Sequence, residues 1–425
     1  MKRLWLTCGV AGCVAVGVVI VGRAAGLPAC DPGNGGIKLP DGFCAAVVAE
    51  NLGVARHLVV APSGDLFVAL RDNAGEPGGV VALRDTDGDG RMDQRERLGE
   101  QGATGIALRN GYLYAATPTS VLRHKMQPGQ LRPAGPAETI VGDLPVQRQH
   151  QDKSFAFDGK GSMYVNVGAP SNACQVRDRV EKSPGQDPCP LLEEHAGIWR
   201  FDENKVGQKQ ADGKRYATGM RQMIALAWHD GALYIGMHGR DQLNTMWPGE
   251  FTTQQNAELP SETLLRAEDG SNFGWPYCFY DLMQGRLVLN PEYGGDGKKV
   301  GRCDQFTPPL MGFPGHWAPN DLMFYTATQF PKRYQGGVFI AFHGSWNRAP
   351  LPQAGYNITF VPFAGAKPSG KYETFAEGFT GKIPLTQPND AVARPQGLAL
   401  GPDGTLYVAE GQKGKIWRIM YRGGA

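Results

Sequence analysis

The sequence has no surplus of charge of either sign. Its 425 residues include 43 lysines and arginines against 41 aspartates and glutamates, which gives a formal net charge of +2. Domains that bind nucleic acid usually carry a basic face. The near balance of charge therefore argues against nucleic acid as a partner.

The chain also lacks the cysteine spacing of a zinc site, because its eight cysteines form no Cys-x-x-Cys pair. The 59 glycines and 31 prolines are spread along the chain and form no tract. This distribution is typical of many short strands joined by turns, and it is unlike a disordered linker. We therefore expect an all-β fold.

An apolar stretch over residues 4–22 follows Lys2 and Arg3, a pattern typical of an export signal. We expect residues 1–29 to be a cleaved signal peptide or an N-terminal membrane anchor; a lipoprotein signal ending at Cys13 or Cys30 is a third alternative. Without these residues the formal charge would be −1. The protein would then be periplasmic or secreted, or attached to a membrane through this segment only.

Six cysteines follow the apolar stretch of the predicted signal and fall into three sequence-local pairs. Loop closure favours a disulfide within each pair, worth about 3 kcal/mol. The alternative is six buried free thiols. Export argues against it, because disulfides form and persist in oxidising compartments. The predicted disulfides are Cys30–Cys44, Cys174–Cys189 and Cys278–Cys303.

One unit recurs six times along the chain: an apolar strand of period two, a turn and a second strand. The units begin at Leu58, Ile106, Phe155, Ile224, Leu322 and Leu398. Several continue into a third strand, so each unit resembles an antiparallel blade that buries its faces only by stacking on its neighbours. We predict one six-bladed β-propeller over residues 30–425, with two sandwich domains as the alternative.

Three segments outside the repeat have predicted roles in this propeller. Residues 43–50 have strand composition and no partner in the first unit, so we expect them to close the ring against the last blade. The longest insertions, residues 169–196 and 240–320, each contain a predicted disulfide. We expect them to form ordered loops over a central pocket.

An acidic segment in the first unit has the spacing of a calcium loop. Oxygen ligands at positions 1, 3, 5, 9 and 12, with glycine at position 6, match the geometry that calcium prefers. We predict a structural Ca²⁺ site there, with a solvated acidic turn as the alternative. The predicted ligands are Asp85, Asp87, Asp89, Asp93 and Glu96.

His150 stands directly before the first strand of the third unit. A side chain at that point is expected to face the central channel, and His238 and His343, at strand ends, are further candidates to line it. Imidazole titrates near neutral pH and suits the removal of a hydroxyl proton. We therefore take His150 as the candidate general base.

Several motifs together resemble those of the pyrroloquinoline quinone (PQQ) dependent glucose/sorbosone dehydrogenases. They are His150 with the following Phe-Ala-Phe-Asp-Gly, Gly219-Met-Arg-Gln, Asn272-Phe-Gly-Trp-Pro, His343-Gly-Ser-Trp-Asn-Arg and Arg394-Pro-Gln-Gly-Leu. The resemblance implies that His150 accepts the substrate proton while hydride passes to the quinone. It also implies that Arg221 polarises the quinone oxygens, beside Gln222, where the glucose enzymes carry Asn.

The same resemblance implies a calcium ion that holds PQQ through the backbone carbonyls of Gly239 and Arg240. Guanidinium groups suit the three carboxylates of PQQ, and Arg348 and Arg394 are the candidates for them. Gln101 would contact the substrate. The implied partners are a sugar or aldehyde and an electron acceptor, either a quinone or a cytochrome.

Near the predicted base, this sequence differs from the family that it resembles. The glucose enzymes orient the histidine with an Asp, whereas Ala169 occupies the matching position here. Asp152 or Asn172 would have to substitute, or His150 would be a weaker base. The change argues against glucose and favours a sorbosone-like substrate or another sugar or aldehyde. A calcium-dependent lactonase and a non-catalytic binding propeller are the competing functions.

Overall fold

The computed structural model describes residues 27–423. The apolar segment of the predicted export signal, with Cys13, lies outside the described residues. Strand β1 spans Phe43–Ala49 and precedes the first blade. Blade 1 consists of β2 (Ala55–Val60), β3 (Leu66–Leu70), β4 (Gly79–Arg84) and β5 (Gln94–Leu98). Blade 2 consists of β6 (Ile106–Arg109), β7 (Tyr112–Ala116), β8 (Val121–Lys125) and β9 (Glu138–Gly142).

In the third and fourth blades, one short strand of the connecting segment joins the sheet of the preceding blade. Blade 3 begins with β10 (Phe155–Phe157), β11 (Ser162–Val167) and β12 (Gly197–Asp202); β13 (Gln208–Lys209) extends blade 2, and β14 (Lys214–Thr218) returns to blade 3. Blade 4 consists of β15 (Gln222–His229), β16 (Ala232–His238), β17 (Glu262–Ala267) and, after three intervening strands, β21 (Met311–Phe313). The intervening strands are β18 (Ser271–Asn272), which joins blade 3, and the hairpin β19 (Cys278–Asp281) and β20 (Arg286–Leu289).

The last two blades complete the ring. Blade 5 contains β22 (Pro319–Phe324), β23 (Val338–Phe342), β24 (Asn357–Val361) and β27 (Glu373–Ala376), with the small hairpin β25 (Phe363–Ala364) and β26 (Lys367–Pro368) between them. Blade 6 contains β28 (Pro395–Leu400), β29 (Leu406–Glu410) and β30 (Ile416–Tyr421). Its fourth strand is β1, which pairs antiparallel with β30. The predicted ring closure by residues 43–50 is therefore confirmed.

Helical segments are short and lie in the connections. The α-helices are α1 (Leu243–Met246) and α2 (Thr253–Glu258), and 3-10 turns lie at Pro32–Gly36, Pro190–Glu193, Gln210–Asp212, Pro291–Tyr293, Gly301–Gln305, Lys332–Tyr334 and Pro388–Asp390. Between residues 27 and 423, no helix has the length and apolar character that a membrane span requires.

The hydrophobic core is divided among the six interfaces between blades. Each interface has its own cluster of buried side chains, and the cluster between blades 5 and 6 is rich in aromatic rings, including Phe330, Phe339 and Phe375. Strand β3 is buried along its whole length because neighbouring blades cover both of its faces. The six predicted units thus stack as predicted, each beginning in or beside an innermost strand.

Strand direction divides the connections between two faces of the propeller. Strands alternate in direction within a blade, so the connections between the second and third strands lie on the same face as those that enter each new blade. This face, here called the cavity face, carries the two long insertions. Disulfides Cys174–Cys189 and Cys278–Cys303 bridge within these insertions, and Cys30–Cys44 ties the N-terminal segment to β1. All three predicted pairings are confirmed.

Candidate active site

A cavity of about 250 Å³ lies on the propeller axis at the cavity face. Residues from four blades surround it. Most of them lie at or just before the start of an innermost strand, or at the end of a second strand. Its lining residues are Arg56, Arg71, Arg148, His150, Gln151, Asp152, Gln222, Ile224, His238, Ala318, Asn320 and His343. The structure thus brings the three predicted channel histidines together at one cavity.

A backbone carbonyl orients the imidazole of His150. The His150 Nδ1 atom lies 2.5 Å from the carbonyl oxygen of Ala169. Because a carbonyl oxygen only accepts hydrogen bonds, Nδ1 carries the hydrogen and Nε2 keeps its lone pair. The position that lacks the expected carboxylate therefore still orients the ring, through its main chain. The sequence could not reveal this, because every residue has a carbonyl.

The two predicted substitutes for that carboxylate have other partners. Asp152 pairs with Arg56, and both side chains are largely buried. The side chain of Asn172 accepts from the backbone N–H of Asp241 at 2.9 Å and donates to the backbone carbonyl of Asp241 at 3.0 Å. The structure therefore does not place Asp152 or Asn172 as the group that orients His150, and the alternative, that His150 is a weaker base, stays a prediction.

His150 is neutral at physiological pH. Burial and the neighbouring Arg221 charge lower the pKa of His150 to about 3. The same causes lower the pKa of His238 to about 4. Burial and the charge of Arg394 hold the pKa of His343 well below its usual range. Neutral imidazole is the form that accepts a proton, so the protonation state of His150 suits a base.

Arg221 is fixed by Asp241, a residue that no sequence motif singled out. One Arg221 amino group donates to the Gly239 carbonyl at 2.8 Å and the other to the Asp241 carboxylate at 2.5 Å. Arg179 donates to the same carboxylate at 2.9 Å, and the Asn347 amide does so at 2.7 Å. Asp241 therefore joins the long connections of blades 3, 4 and 5.

Two arginines hold the Asp241 carboxyl in its charged form. Burial opposes ionisation of this carboxyl, but the charges of Arg221 and Arg179 outweigh burial and lower its pKa below the usual range.

The pKa of the nearby Glu262 is shifted in the opposite direction. Its carboxylate oxygens accept from the backbone N–H groups of Gly239 and Ala318, and burial raises its pKa to about 8. Glu262 thus stays largely neutral while Asp241 balances the cations.

The segment predicted to hold calcium through carbonyls lies beside this network. The Gly239 carbonyl already accepts one hydrogen bond from Arg221, which leaves its second lone pair for another partner. The Arg240 guanidinium points away from the cavity and forms a buried ion pair of 2.5 Å with Glu292. The Arg240 side chain therefore anchors the loop, and only its backbone carbonyl is a candidate ligand.

Arg348 and Arg394 do not line the cavity. Arg348 bonds to the Glu258 carboxylate at 2.7 Å and to backbone carbonyls around it. Arg394 donates to the backbone carbonyls of His343 and Gly344 at 3.1 and 2.7 Å. The structure does not place Arg348 at the cavity, because protein acceptors enclose its guanidinium, and its role as a cofactor ligand stays a prediction. Arg394 contacts the backbone of His343, which lines the cavity, and its role as a cofactor ligand stays a prediction.

Three other arginines line the cavity instead. Arg56 pairs with Asp152, whereas the exposed Arg71 and Arg148 have no side-chain hydrogen bond or ion pair within residues 27–423. They come from separate connections that the fold brings together, so no local motif marked them. Gln101 is exposed and is not among the residues that line the cavity.

Buried polar atoms without partners mark the cavity wall as a ligand site. Within the described residues, Nε of Arg56, Oε1 of Gln222 and Oδ1 of Asn320 belong to residues that line the cavity, are buried and form no hydrogen bond. Unpaired buried polar groups cost about 1–3 kcal/mol each and usually await a ligand or water. With Arg71 and Arg148 unpaired nearby, the wall fits a polar, anionic ligand such as PQQ.

The acids around the cavity bear on the lactonase alternative. Among the described residues, Asp152 is the only acid that lines the cavity, so the set of acids that a lactonase metal needs is not assembled there.

The acidic loop follows β4 and therefore lies on the opposite face. Its ligand atoms on Asp85, Asp87 and Asp89 lie within 4.8 Å of one another.

The remaining two acids of that loop are not part of the cluster. Asp93 accepts hydrogen bonds from the backbone N–H and hydroxyl of Thr86 at 3.1 and 2.6 Å. Glu96 lies in β5 and pairs with Arg132 at 2.7 Å. The structure therefore brings three of the five predicted ligands together, and it does not place Asp93 and Glu96 with them, because each has another partner.

Fold and site together define the class of this protein: a six-bladed β-propeller with an axial cavity lined by histidine and arginine. The family model described as TrAA12-like matches residues 37–422. The chain belongs to the TrAA12-like family. The predicted family relationship is confirmed. The family match defines this relationship more narrowly than the resemblance to the glucose/sorbosone dehydrogenases does.

Two solved structures share this fold. The calcium structure of the Trichoderma reesei carbohydrate-active enzyme of family AA12 has a TM-score of 0.73 and 19% identity, covering 91% of this chain and 97% of that one. The holo form of the PQQ domain of pyranose dehydrogenase from Coprinopsis cinerea has a TM-score of 0.71 and 18% identity, covering 93% and 98%. At these identities the likeness shows the fold alone.

Sequence comparison gives partial matches to curated relatives. An uncharacterised protein of Borreliella burgdorferi is 29% identical over 278 residues, which are 64% of this chain and 61% of that protein. The PQQ-dependent pyranose dehydrogenase of Coprinopsis cinerea is 26% identical over 200 residues, 39% of this chain and 25% of the enzyme. The chain thus spans less than two thirds of the length of these relatives.

Proposed function

We propose that the protein is a PQQ-dependent oxidoreductase that oxidises a sugar hydroxyl or a hydrated aldehyde, with His150 as the general base. The observation that carries this proposal is the hydrogen bond from His150 Nδ1 to the Ala169 carbonyl. It gives a neutral histidine with one basic nitrogen at the edge of an arginine-lined axial cavity. Membership of the TrAA12-like family and the match to a PQQ-dependent pyranose dehydrogenase support it.

His150 would take the proton of the substrate hydroxyl on Nε2 while the attached carbon loses hydride. General-base catalysis of this kind contributes about 10²–10⁴-fold to a rate. Bound PQQ would supply the quinone carbon that accepts the hydride. An external electron acceptor, a quinone or a cytochrome, is needed to complete each cycle.

The arginines give the cavity its preference for an anion. Arg71 and Arg148 have no protein partner in the described part of the chain and would bind carboxylates bidentately. Arg221 would stabilise negative charge on a quinone oxygen, with its own position fixed by Asp241.

Calcium would be held beside this pocket by the backbone carbonyls of Gly239 and Arg240. Carbonyl oxygens are suitable calcium ligands, and the Gly239 carbonyl has a lone pair to spare. We also propose an exported location, which the three disulfides support because they persist in oxidising compartments.

Reconstitution of the purified apoprotein tests this function. PQQ and Ca²⁺ are added, and reduction of an artificial electron acceptor is followed with a panel of aldoses, sorbosone and simple aldehydes. We expect turnover that requires both PQQ and calcium. Absence of PQQ binding, or binding without turnover of any substrate in the panel, would refute the proposal.

A further inference from the structure

One glutamine side chain bonds to both backbone segments that meet at His150. The Nε2 atom of Gln147 donates to the carbonyl oxygens of Gln149 at 2.7 Å, His150 at 2.9 Å and Gly168 at 3.1 Å. An amide nitrogen has two hydrogens, so one of these bonds is shared between two acceptors. A single side chain thus links residues 149–150 to residue 168.

The linked segments are those whose separation sets the orientation of the imidazole. Ala169, whose carbonyl accepts from His150 Nδ1, directly follows Gly168. If residues 149–150 moved away from residue 168, the 2.5 Å contact between Nδ1 and the carbonyl would lengthen. The amide of Gln147 opposes that movement, because its bonds span the gap between the segments.

A second histidine fixes which way the Gln147 amide points. The Nδ1 atom of His195 lies 3.1 Å from Oε1 of Gln147. Since Nε2 of Gln147 faces three acceptors, Oε1 is the acceptor and His195 Nδ1 is the donor. Burial lowers the pKa of His195, so this histidine stays neutral with its hydrogen on Nδ1. The amide therefore has partners on both atoms.

The backbone at this junction is both strained and tightly packed. His150 has a φ of +53°, in the left-handed region, which costs about 1–2 kcal/mol for a residue with a side chain. A Cβ atom at Gly168 would lie 2.5 Å from Oε1 of Gln222 and 2.7 Å from the His150 Cβ. Such a conformation persists only where neighbouring groups hold it. Gln147 supplies three of the bonds that do so.

We infer that Gln147 is a positioning residue for His150, with His195 holding the Gln147 amide in place. This inference rests on the proposed role of His150 as a base. Gln147 keeps the carbonyl of Ala169 within hydrogen-bond distance of His150 Nδ1. The proton on His150 thereby stays on Nδ1, and Nε2 stays free to accept the substrate proton.

The test compares Gln147→Met, which removes every hydrogen bond, with Gln147→Glu, which keeps an acceptor for His195 and loses the donor. The chain offers a matched control in Gln208. Its Nε2 also donates to three backbone carbonyls, those of Asp202, Lys205 and Ile140, in a turn on the face opposite the cavity. Gln208→Met therefore measures the effect of losing a similar clamp far from His150.

The primary readout is the ring-nitrogen NMR spectrum of ¹⁵N-histidine apoprotein, with His150 assigned through His150→Gln. We expect a single Nδ1–H tautomer of His150 in the wild type and in Gln208→Met, and a mixture of tautomers in both Gln147 variants. In PQQ-loaded enzyme, we expect kcat to fall about 10- to 100-fold in the Gln147 variants, while PQQ affinity changes less than twofold.

Two results would overturn the inference. One is a wild-type His150 tautomer in both Gln147 variants. The other is an equal loss of tautomer in Gln208→Met, which would attribute the effect to general destabilisation. The NMR measurement needs no cofactor, so it remains decisive even if the reconstituted wild-type protein proves inactive. Inactivity would refute the proposed function without bearing on how Gln147 positions His150.

Discussion

The carbonyl oxygen of Ala169 accepts a hydrogen bond of 2.5 Å from Nδ1 of His150. In the resembling sugar dehydrogenases a carboxylate orients the equivalent histidine. A carbonyl fixes the same tautomer but carries no charge, so it raises the basicity of the ring less than a carboxylate does. Burial and the charge of Arg221 lower the pKa of His150 to about 3, and the hydrogen bond to the Ala169 carbonyl offsets this lowering only in part.

The depressed pKa of His150 predicts a specific dependence of stability on pH. Between the ordinary value of about 6.5 and the folded value of about 3, the unfolded chain binds a proton that the folded protein does not. The contribution of His150 to stability is therefore lost as pH falls through this window, and His150→Gln lacks that contribution while its other groups titrate as in the wild type. We expect the variant to gain relative stability by up to about 1.4 kcal/mol per pH unit between pH 6 and 4.5.

Urea unfolding of both proteins at a series of pH values checks this prediction. The quantity of interest is the difference in the free energy of unfolding between variant and wild type, since other groups titrate equally in both. A difference that stays constant from pH 7 to 4.5 would show that the pKa of His150 is not depressed.

Replacing the carboxylate of Asp241 should destabilise the cavity face. In Asp241→Asn the buried Arg221 and the partly buried Arg179 lose their shared counter-charge. Breaking one side of a buried ion pair typically costs about 3–5 kcal/mol. We expect a loss near the lower value in chemical unfolding, because Arg179 is partly exposed, together with weaker PQQ binding.

Asp187→Asn is the matched control for Asp241→Asn. Asp187 also pairs with an arginine, Arg302, but both side chains are about 40% exposed. Exposed ion pairs are worth about 0–1 kcal/mol. Equal losses in the two variants would contradict the assignment of Asp241 as the group that holds Arg221.

The arginines of the cavity wall should differ sharply in their effect on PQQ binding. We expect Arg71→Gln and Arg148→Gln each to weaken PQQ binding about tenfold, equivalent to about 1.4 kcal/mol. Arg348→Gln should leave PQQ affinity unchanged and lower stability, because Arg348 bonds to Glu258 and to nearby carbonyls. Fluorescence titration with PQQ separates these outcomes, and a reversed order would restore Arg348 as a cofactor ligand.

Calcium binding at the acidic loop should depend on three residues and not on five. If the loop binds calcium, Asp87→Ala should abolish the rise in melting temperature that Ca²⁺ produces, because Asp87 belongs to the cluster. Glu96→Gln should retain that rise, since Glu96 pairs with Arg132. Calorimetric titration of both variants checks this. Loss of binding in Glu96→Gln would show that the loop rearranges around the ion.

The architecture could be predicted from the sequence because each blade repeats the same strand and turn pattern. The ring closure by β1 followed from one unpaired strand, and the disulfides followed from three sequence-local pairs. His150 was identifiable because a histidine before an innermost strand faces the axis. These features depend on residue type or on local periodicity.

The remaining parts of the site depend on contacts between distant segments. Arg71 and Arg148 come from connections of different blades, and Asp241 meets Arg179 only after the long insertions fold. The Ala169 carbonyl has no residue-type signature. The position of Arg348 outside the cavity could not be predicted for the same reason, since its motif gave no sign that its guanidinium would pair with Glu258.

Single-turnover reduction of bound PQQ tests the central claim most directly. Wild type and His150→Gln are loaded with PQQ and Ca²⁺ and mixed with an oxidisable aldose, and the absorbance of the bound quinone is followed. We predict equal PQQ occupancy in both proteins and a rate at least 10²-fold lower in the variant. Equal reduction rates, or a wild type that binds no PQQ, would contradict the account.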